Sequence, residues 1–384
     1  MSDSPKPSRL ESLKTKSVYL GGEIRAELAN ESDHFDKDSI QLLKYHGTYQ
    51  QDDRDLRSQA RAEGKGKAFM MMVRSRIPGG KLTSDQLLAH IDLGDELGNQ
   101  TLRITTRQGL QLHGIRKHDL HETIARINQT QLTTLGACGD VNRNVMCCPA
   151  PYKDPVHEAM QALADQITAH LEPRTPAYHQ IWLRELGSDE KIEIVGPPEQ
   201  IEPLYRDVYL PRKFKIGIAL PEDNCIDVYT HDIGLIVVRE GDTILGYNVV
   251  VGGGFGMSPS VKKTFPCVAK RMCFATPDQI LEVVTAIVKV QRDFGNRSDR
   301  KIARLKYLVT DWGVPKFKAK VEEYFGESLP DPTPHDVTGV NDHMGWEAQG
   351  DGKWFYGLNV ENGRIRDGDD MQLKSALREI CTTL

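Results

Sequence analysis

The sequence predicts a mixed fold that combines an α+β part with an α/β part, and three observations support this. Residues 68–130 follow the order strand, helix, strand, strand, helix, which is typical of a ferredoxin-like half unit. Residues 150–330 alternate helical and strand patterns, as α/β domains do. The segment from about residue 340 repeats the strand, glycine turn and helix of the first unit, so we expect the start of a second ferredoxin-like half-repeat there.

The composition narrows the class of protein. At 384 residues there is room for two or three domains, and 39% hydrophobic and 27% charged residues are ordinary for a globular protein. A net charge of −5 provides no basic field for nucleic acid, so the short cationic motifs favour a small anionic ligand. No apolar run approaches the ~18 residues of a membrane span. The amino terminus also lacks a signal-peptide core, so we expect a cytoplasmic protein without membrane contact.

The amino-terminal residues carry little pattern. Residues 1–35 are polar and aperiodic, which predicts a flexible arm. Residues 36–66 combine a short apolar helix with a run rich in Gln, Asp and Arg. Such a run is usually a solvated face. Because Tyr45, His46 and Tyr49 lie among the charges, a segment that wraps another domain is the alternative.

The stretch from Thr101 to Cys148 is the part around which the rest of the chain is expected to be arranged. Its first piece alternates apolar and polar residues around a turn at Gly109, which predicts a β-hairpin with one buried face. The opposite face is rich in donors suited to carboxylates or oxyanions, although a solvated face is the alternative interpretation. The apolar residues are Leu102, Ile104, Leu110 and Leu112, and the polar ones are Arg103, Thr105, Arg107, Gln111 and His113.

Two further strands are predicted to present cations. Arg74 and Arg76 share a face of the first strand, and a tight Pro78–Gly80 turn follows. In the middle of the chain Lys213 and Lys215 share one face of a strand, with Arg212 and Phe214 on the other. An edge strand protected by lysine is the alternative there. Helices are predicted over 156–170, 278–291 and 299–311, and strands over 179–184, 192–196, 214–219, 226–229, 234–238 and 245–251.

A glycine run at residues 252–256 follows the last of these strands. A dinucleotide-binding loop does not fit, because the third glycine is missing and Pro259 stands where the helix would begin. We expect these glycines to let the backbone approach a bulky flat ligand. The helix that follows leaves Arg300, Arg304 and Lys306 off its apolar face, which is usual for a solvated helix.

The cysteines are few and scattered. Their odd number argues against a disulfide framework. Adjacent Cys147 and Cys148 are poorly placed to chelate one ion, and Cys267 and Cys273 have a spacing that iron–sulfur proteins use but no second pair behind them. Ordinary buried thiols are therefore expected and no metal ligands are assigned. The seven cysteines are Cys138, Cys147, Cys148, Cys225, Cys267, Cys273 and Cys381.

From about Leu43 to its end the chain resembles the assimilatory sulfite reductase haemoproteins, especially the ferredoxin-dependent type. The resemblance is carried, in order, by LKYHGTYQQDDRD, RSRIPGG, LRITTRQGLQLHGI, LGACGDVNRNVM, LPRKFK, NVVVGGGFG and QRDFGNRSDRKIARLKY. It implies siroheme beside a 4Fe–4S cluster, sulfite as substrate, sulfide as six-electron product, and ferredoxin or an NADPH-dependent flavoprotein as electron donor. A siroheme-dependent nitrite reductase, a non-catalytic siroheme-binding half-subunit and an inactive remnant are the alternatives.

The resemblance also implies roles for individual residues. Arg76, Arg143, Lys213 and Lys215 match the positions that bind sulfite and supply protons in the family. The positions that hold the siroheme are matched by Thr105, Arg107, Gln111, His113, Asn144, Arg212 and Lys306.

The family's cluster cysteines lie in a carboxyl-terminal half that this sequence is expected to lack, so it is interpreted as an amino-terminal portion. A truncated product, or half of a split enzyme completed by a second chain, would explain that. The predicted domains are a flexible arm at 1–35, a wrapping segment at 36–66, a ferredoxin-like half at 67–135, a siroheme-binding α/β domain at 136–330 and a truncated second repeat at 340–384.

Overall fold

A computed structural model describes the fold of most of the chain. The described residues are 6–175, 177–178, 182–184, 191–193, 202–368 and 370–383. They form a five-stranded sheet, a four-stranded sheet and two separate strand pairs, together with helices, so the predicted mixed fold is confirmed. Most buried apolar side chains belong to one large core that contacts both larger sheets. Among the described helices none has the length and apolar content needed to cross a membrane.

The amino-terminal residues pack onto the body, so the prediction of a flexible arm is wrong for residues 6–35. Leu20 and Phe35 are fully buried, because they join the main core. The buried ammonium of Lys14 donates to the carbonyl of Leu210 at 2.9 Å, which ties this segment to the middle of the chain. The elements here are α1 (Arg9–Lys16), α2 (Ile24–Ala29), α3 (Lys37–Leu43), β1 (Thr48–Asp52) and α4 (Arg54–Ala62).

The first ferredoxin-like unit has the predicted order of elements. Its sheet has the strand order β1, β2 (Phe69–Arg74), β4 (Leu110–Ile115), β3 (Leu102–Ile104) and β13 (Arg364–Ile365), so the predicted wrapping segment supplies an edge strand. Thr83 caps the first helix, accepting from the Gln86 backbone N–H at 3.2 Å in a capping box. The hairpin departs from its predicted alternation at Ile104, which is 39% exposed. The elements are β2 (Phe69–Arg74), α5 (Ser84–Glu96), β3 (Leu102–Ile104), β4 (Leu110–Ile115) and α6 (Leu120–Gln129).

The middle of the chain builds a four-stranded sheet of order β10-β9-β8-β7 flanked by helices. The strand predicted over 226–229 is wrong, because a 3-10 turn occupies Val228–Thr230. Two strands were predicted over 179–184 and 192–196. Residues 179–181 of the first and 194–196 of the second lie outside the described residues. The elements are α7 (Pro155–His170), β5 (Trp182–Arg184), β6 (Lys191–Glu193), β7 (Ile216–Ala219), β8 (Ile233–Glu240), β9 (Thr243–Val251), β10 (Lys270–Ala275), α8 (Ile280–Phe294), α9 (Leu305–Trp312) and α10 (Val314–Phe325).

The carboxyl-terminal segment contains a glycine turn like the one in the first unit. Short 3-10 turns at Pro78–Gly80 and Glu361–Gly363 both carry a left-handed middle residue, Gly79 with φ 59° and Asn362 with φ 54°. After the second turn, β13 pairs with β3 of the first unit, which extends the five-stranded sheet. The predicted domain boundaries remain predictions. The elements are β11 (Gly345–Ala348), β12 (Trp354–Gly357), β13 (Arg364–Ile365) and α11 (Leu373–Thr383).

Candidate functional site

A cavity of about 980 Å³ lies where the β3–β4 turn, the segment before β7, the glycine loop and the start of α9 meet. Ten cationic side chains line it, while Asp227 is the one carboxylate among the described lining residues. Such an excess of positive charge in a recess favours an anionic ligand that carries several negative groups. The cations are Arg74, Arg107, Arg143, Arg212, Lys213, Lys215, Arg300, Lys301, Arg304 and Lys306.

Backbone pairing brings two cationic motifs to one wall of the cavity. The Arg143 N–H donates to the Phe214 carbonyl at 2.9 Å, and the Met146 N–H donates to the Ile216 carbonyl at 3.1 Å. The segments therefore run side by side along the open edge of β7. Phe214 is buried in the core, so its neighbours Lys213 and Lys215 face the cavity rather than a solvated sheet edge.

Lys213 and Lys215 are two half-buried cations of the cavity without a compensating partner. Neither ammonium makes a hydrogen bond or an ion pair with any described residue. Burial, together with Arg143, Arg212 and Arg304, lowers the pKa of Lys213 to about 8. Burial, together with Arg107, Lys213 and Arg304, lowers the pKa of Lys215 to about 7. Two ammonium groups that lose their protons near neutral pH can both bind an anion and donate protons to it.

Arg107 is held by neutral acceptors. Its Nη1 donates to the Asn144 carbonyl at 3.3 Å and its Nη2 to Nδ1 of His231 at 2.9 Å. Nε2 of His231 lies 2.9 Å from the Ile226 carbonyl, so this ring donates from Nε2 and accepts at Nδ1. Burial and the nearby Arg107 cation lower the pKa of His231 well below its usual value, which keeps the ring neutral. Burial likewise lowers the pKa of Arg107, to about 9.

Asn144 joins the hairpin turn to the glycine turn after β2. Its Nδ2 donates to the carbonyls of Arg107 at 3.0 Å and Gln108 at 3.2 Å, and also to the Ile77 carbonyl. Its Oδ1 is buried and has no partner among the described residues. Thr105 supports the same turn, because its hydroxyl accepts from the Gly109 N–H at 3.2 Å. An orphaned buried oxygen at a cavity wall indicates a missing donor, such as a ligand or water.

Other cations of the lining are paired within the protein and form its walls. Arg300 makes a bidentate pair with buried Asp140, at 2.6 and 3.0 Å. Burial opposes ionisation of Asp140, but the Arg300 guanidinium holds the pKa of this carboxyl below its usual value. Arg304 pairs with the fully buried Asp232 at 2.7 Å. Arg212 lies 3.9 Å from Asp140, so its charge is only partly compensated.

Lys306 fastens the glycine loop to α9. Its ammonium donates to the carbonyls of Gly254 at 3.0 Å and Gly256 at 2.9 Å, and also to that of Phe265. A Cβ at Gly254 would stand 2.4 Å from Nη1 of Arg304, so only glycine fits between the loop and this side chain. The loop therefore lies against the cations of the wall, with Gly256 facing the cavity.

Arg76 does not reach the cavity, so the structure contradicts the role expected for it. Its guanidinium is 1% exposed, donates to the Thr168 carbonyl at 3.0 Å and lies 3.5 Å from Glu172. Arg74 lines the cavity instead, with its Nη1 2.8 Å from Sγ of Cys138. The two side chains diverge because β2 ends at Arg74 and the Arg76 N–H bonds to Thr133, outside the sheet.

Gln111 and His113 also stand outside the lining, behind Arg74. The Gln111 amide satisfies its neighbours when its oxygen accepts from Nε of Arg74 at 2.8 Å and its nitrogen donates to Nε2 of His113 at 3.3 Å. Gln111 therefore positions Arg74, and the contacts with siroheme expected for Gln111 and His113 stay predictions. Of the predicted site residues, the cavity brings together Arg143, Lys213, Lys215, Thr105, Arg107, Asn144, Arg212 and Lys306.

The sequence interpretation assigned no role to four cations of the cavity, Arg74, Arg300, Lys301 and Arg304. A signal for Arg74 was present, because it shares a strand face with Arg76. For Arg300 and Arg304 the signal was their position off the apolar face of a helix that also carries Lys306. Such a face is usually solvated, so only the tertiary arrangement reveals its role.

Two models of protein families match this sequence. Residues 62–130 match the family model described as the nitrite/sulfite reductase ferredoxin-like half domain, and residues 162–329 match the nitrite and sulphite reductase 4Fe-4S domain. The chain belongs to the nitrite and sulfite reductase family. The resemblance seen in its motifs is thereby confirmed.

The alignments with individual relatives extend over nearly all of this chain. It is 45% identical to the sulfite reductase (NADPH) hemoprotein beta-component of Staphylococcus haemolyticus, over 97% of this chain and 64% of the relative. It is 45% identical to the sulfite reductase (ferredoxin) of Synechococcus elongatus, over 98% of this chain and 62% of the relative. The solved structure of Mycobacterium tuberculosis NirA protein matches with a TM-score of 0.74 and 25% identity, over 98% of this chain and 63% of that one. The chain thus spans less than two thirds of each of these relatives.

Proposed function

We propose that this chain is the siroheme- and sulfite-binding portion of an assimilatory sulfite reductase, an oxidoreductase that reduces sulfite to sulfide with six electrons. The observation that carries the proposal is the cavity in which Lys213 and Lys215 stand without partners among many other cations. The names of the relatives support sulfite, since those from Staphylococcus haemolyticus and Synechococcus elongatus are both sulfite reductases.

The residues of the cavity fit a siroheme. The cofactor is a flat macrocycle with many carboxylates, so it needs several guanidinium and ammonium partners when it is buried. Arg107, Arg212 and Lys301 would meet those carboxylates, and the orphaned oxygen of Asn144 would accept from a water or another donor beside the cofactor. The glycine loop would lie against the macrocycle, with Lys306 as the support of that loop. A bound siroheme supplies the iron that carries electrons to sulfite.

The chain's own residues would bind sulfite and deliver protons to it. Arg143 and Arg74 present guanidiniums that suit the oxygen atoms of an oxyanion. Lys213 and Lys215 would add charge and then donate protons, because their pKa values of about 8 and about 7 lie close to neutral pH. We therefore assign sulfite binding to Arg74, Arg143, Lys213 and Lys215, with Arg74 in the place first expected for Arg76.

The cluster and the electron donor complete the proposal. The matched family model is named for a 4Fe-4S cluster, and we infer that the cysteines which ligate it lie outside this sequence. Among the described residues, neither Cys267 nor Cys273 belongs to a group of three or more potential metal-ligating side chains. A separate polypeptide, or further sequence of the same one, would supply the ligands. The donor would be ferredoxin or an NADPH-linked flavoprotein, since the names of the two relatives include NADPH and ferredoxin.

The test combines cofactor binding with turnover. The purified chain is incubated anaerobically with siroheme and desalted, and we expect haem-like absorption bands to remain in stoichiometric amount. The chain is then mixed with the remaining third of the Staphylococcus haemolyticus relative and reduced methyl viologen, and sulfide and ammonia are measured from sulfite and nitrite respectively. Sulfide formation supports the proposal. Rapid nitrite reduction with negligible sulfide would instead assign nitrite, and retained siroheme without either product would indicate a non-catalytic binding module.

A further inference from the structure

A second polar cluster lies beside the cavity and has the opposite chemistry. Cys148, Asp223, Cys225 and His343 bring two thiols, a carboxylate and an imidazole together, with all four donor atoms within 4.8 Å of one another. Cys148, Asp223 and His343 are buried and Cys225 is half-buried. The four residues, here called the cysteine–histidine cluster, come from three separate segments of the chain. None of them takes part in the proposed binding of siroheme or sulfite.

The donor atoms face one another because their other atoms are occupied. Oδ1 of Asp223 accepts the backbone N–H groups of Cys225 at 3.1 Å and Asn341 at 3.4 Å. This leaves Oδ2 to approach Nε2 of His343 at 3.0 Å. The same Nε2 lies 3.3 Å from Sγ of Cys148, and Sγ of Cys225 lies within 4.8 Å of the other three donor atoms. One point in space is thus surrounded by two sulfur atoms, one nitrogen and one oxygen.

The imidazole of His343 is oriented from behind, as metal-binding histidines usually are. Its Nδ1 lies 3.3 Å from the Tyr152 hydroxyl and 3.7 Å from the carboxylate of Glu347. That carboxylate is itself held by the Tyr152 hydroxyl and by Nδ2 of Asn341. His343 also has a left-handed backbone, with φ 54°, a strained conformation for a residue other than glycine. The surroundings fix the ring with Nε2 toward the cluster.

Beside Cys148 lies a further polar atom with no ordinary partner. Nε2 of His157 is buried beside the Cys148 thiol and has no hydrogen-bond partner in the described part of the chain. The other nitrogen of this ring is held by Asp154 at 2.7 Å. A metal-bound thiolate at Cys148 would give Nε2 of His157 the acceptor that it lacks.

We propose that the cysteine–histidine cluster binds one zinc ion in a closed, structural site. Two thiolates, one imidazole and one carboxylate are a donor set that Zn²⁺ takes, in tetrahedral geometry with bonds of roughly 2.0–2.3 Å. Ligands in such a site stand roughly 3.3–3.8 Å apart, so small side-chain rotations from the present spacing are enough. Binding releases the protons of both thiols to solvent, because zinc is held by thiolate sulfur.

The position of the site suggests what the ion would do. It would join the loop after β7 to the connection that leads into β11. These segments already meet through the Asn224 N–H, which donates to the Gly339 carbonyl at 3.1 Å, and the Gly339 N–H, which donates to Pro221 at 3.1 Å. Cys225 also borders the large cavity, so the ion would fix one stretch of the cavity wall relative to the carboxyl-terminal segment.

Zinc content and the spectrum of a cobalt derivative test the proposal. The full chain, prepared under reducing conditions and without siroheme or sulfite, is equilibrated with Zn²⁺ and freed of excess metal by gel filtration. We expect about one zinc per chain, and a loss of affinity of about tenfold or more in Cys225→Ser and His343→Gln. Cobalt in place of zinc should give the visible bands of tetrahedral Co²⁺ and a thiolate-to-cobalt charge-transfer band that Cys148→Ser and Cys225→Ser weaken.

Matched controls keep the test decisive. Cys381→Ser and His121→Gln remove the same residue types outside the cluster and should bind metal as the parent chain does. The parent chain should gain thermal stability with zinc, whereas His343→Gln should not, and circular dichroism shows that each variant is folded. Three results would overturn the proposal. They are zinc far below one per chain, metal binding by the cluster variants equal to that of the parent, and a Cys148–Cys225 disulfide that persists under the reducing conditions. None of these readouts depends on siroheme or sulfite, so the proposed enzymatic function is judged separately.

Discussion

The cavity and the cysteine–histidine cluster are neighbours, since Cys225 borders both, yet their charges are of opposite kinds. The cavity gathers ten cationic side chains with one carboxylate in its described lining. The cluster gathers two thiols, a carboxylate and an imidazole, which are ligands for a cation. Burying either set is unfavourable without a partner of complementary charge. The contrast teaches that the sign of uncompensated charge in a recess indicates the kind of ligand before its identity is known.

The two sites also differ in how far the protein itself has fixed them. In the cluster the remaining atoms of Asp223 and His343 are held by neighbours, so the donors already face one another. In the cavity only part of the cations are held, such as Arg300 and Arg304 by buried carboxylates. Lys213 and Lys215 have no described partner. Paired cations shape the cavity, and unpaired ones are available to a ligand.

The largest effect expected from the difference between paired and unpaired cations is a loss of sulfite turnover when an unpaired lysine is replaced. In the enzyme completed with the remaining third of a relative, Lys213→Ala and Lys215→Ala should each lower sulfite turnover on the order of 10²-fold, because each removes a preorganised cation that stabilises charge and donates protons. Sulfide release is the measurement, and thermal unfolding is followed in parallel. Stability should stay equal or rise, because a buried ammonium is unfavourable in the free protein.

Lys270→Ala, which removes an exposed lysine of β10, is the matched control and should leave both quantities unchanged. If the two cavity variants lost stability and activity to the same degree, the lysines would be structural residues of a sheet edge. The comparison between paired and unpaired cations would then fail.

A second effect should separate Arg74 from Arg76. Arg74→Ala should weaken the binding of sulfate, as a stand-in for sulfite, to the cofactor-free chain about tenfold with little change in unfolding temperature, since Arg74 lines the cavity. Arg76→Ala should instead cost about 2–3 kcal/mol of stability, because it removes the buried hydrogen bond to the Thr168 carbonyl and the ion pair with Glu172. Calorimetric titration with sulfate measures the first effect, and chemical denaturation measures the second. The reverse pattern would restore Arg76 as the ligand-binding residue.

Sequence reasoning found most of the fold and much of the cavity. Local patterns were enough for the order of elements along the first unit and for its hairpin, because turns and periodicity are local properties. Arg143, Lys213 and Lys215 were found through motifs of the family. The assignment of Arg76 failed because alternation holds only while a strand continues, and β2 ends at Arg74.

Non-local packing accounts for the other failures. The amino-terminal segment looked aperiodic because its buried residues, such as Leu20 and Phe35, are spread between short helices. The cysteine–histidine cluster escaped notice because its ligands come from three distant segments and share no spacing. Adjacent cysteines are poorly placed to chelate one ion, which drew attention away from Cys147 and Cys148. In the structure only Cys148 belongs to the cluster. A site assembled by the tertiary fold leaves no signature along the chain.

The smallest effect expected is a pH dependence of anion binding, and its sign follows from the lysine pKa values. In the folded chain Lys215 has a pKa of about 7 and Lys213 of about 8, both lowered by burial. An anion binds the protonated ammonium, so affinity should be highest below the lower of these values and should fall as pH rises through both. Sulfate is the suitable probe, because its own charge is constant over this range, and calorimetric titration of the cofactor-free chain measures its affinity.

We expect the affinity for sulfate to fall about tenfold across this interval, an effect of roughly 1.4 kcal/mol. In Lys215→Met the first step should disappear and leave a single decline governed by Lys213. A flat profile in the parent chain would mean that permanently charged arginines hold the anion, and the lysines would then lose their place as the unpaired, proton-donating cations of the cavity. An affinity that rose with pH would contradict the sign of the linkage itself, because deprotonated amines cannot attract an anion more strongly than ammonium groups do.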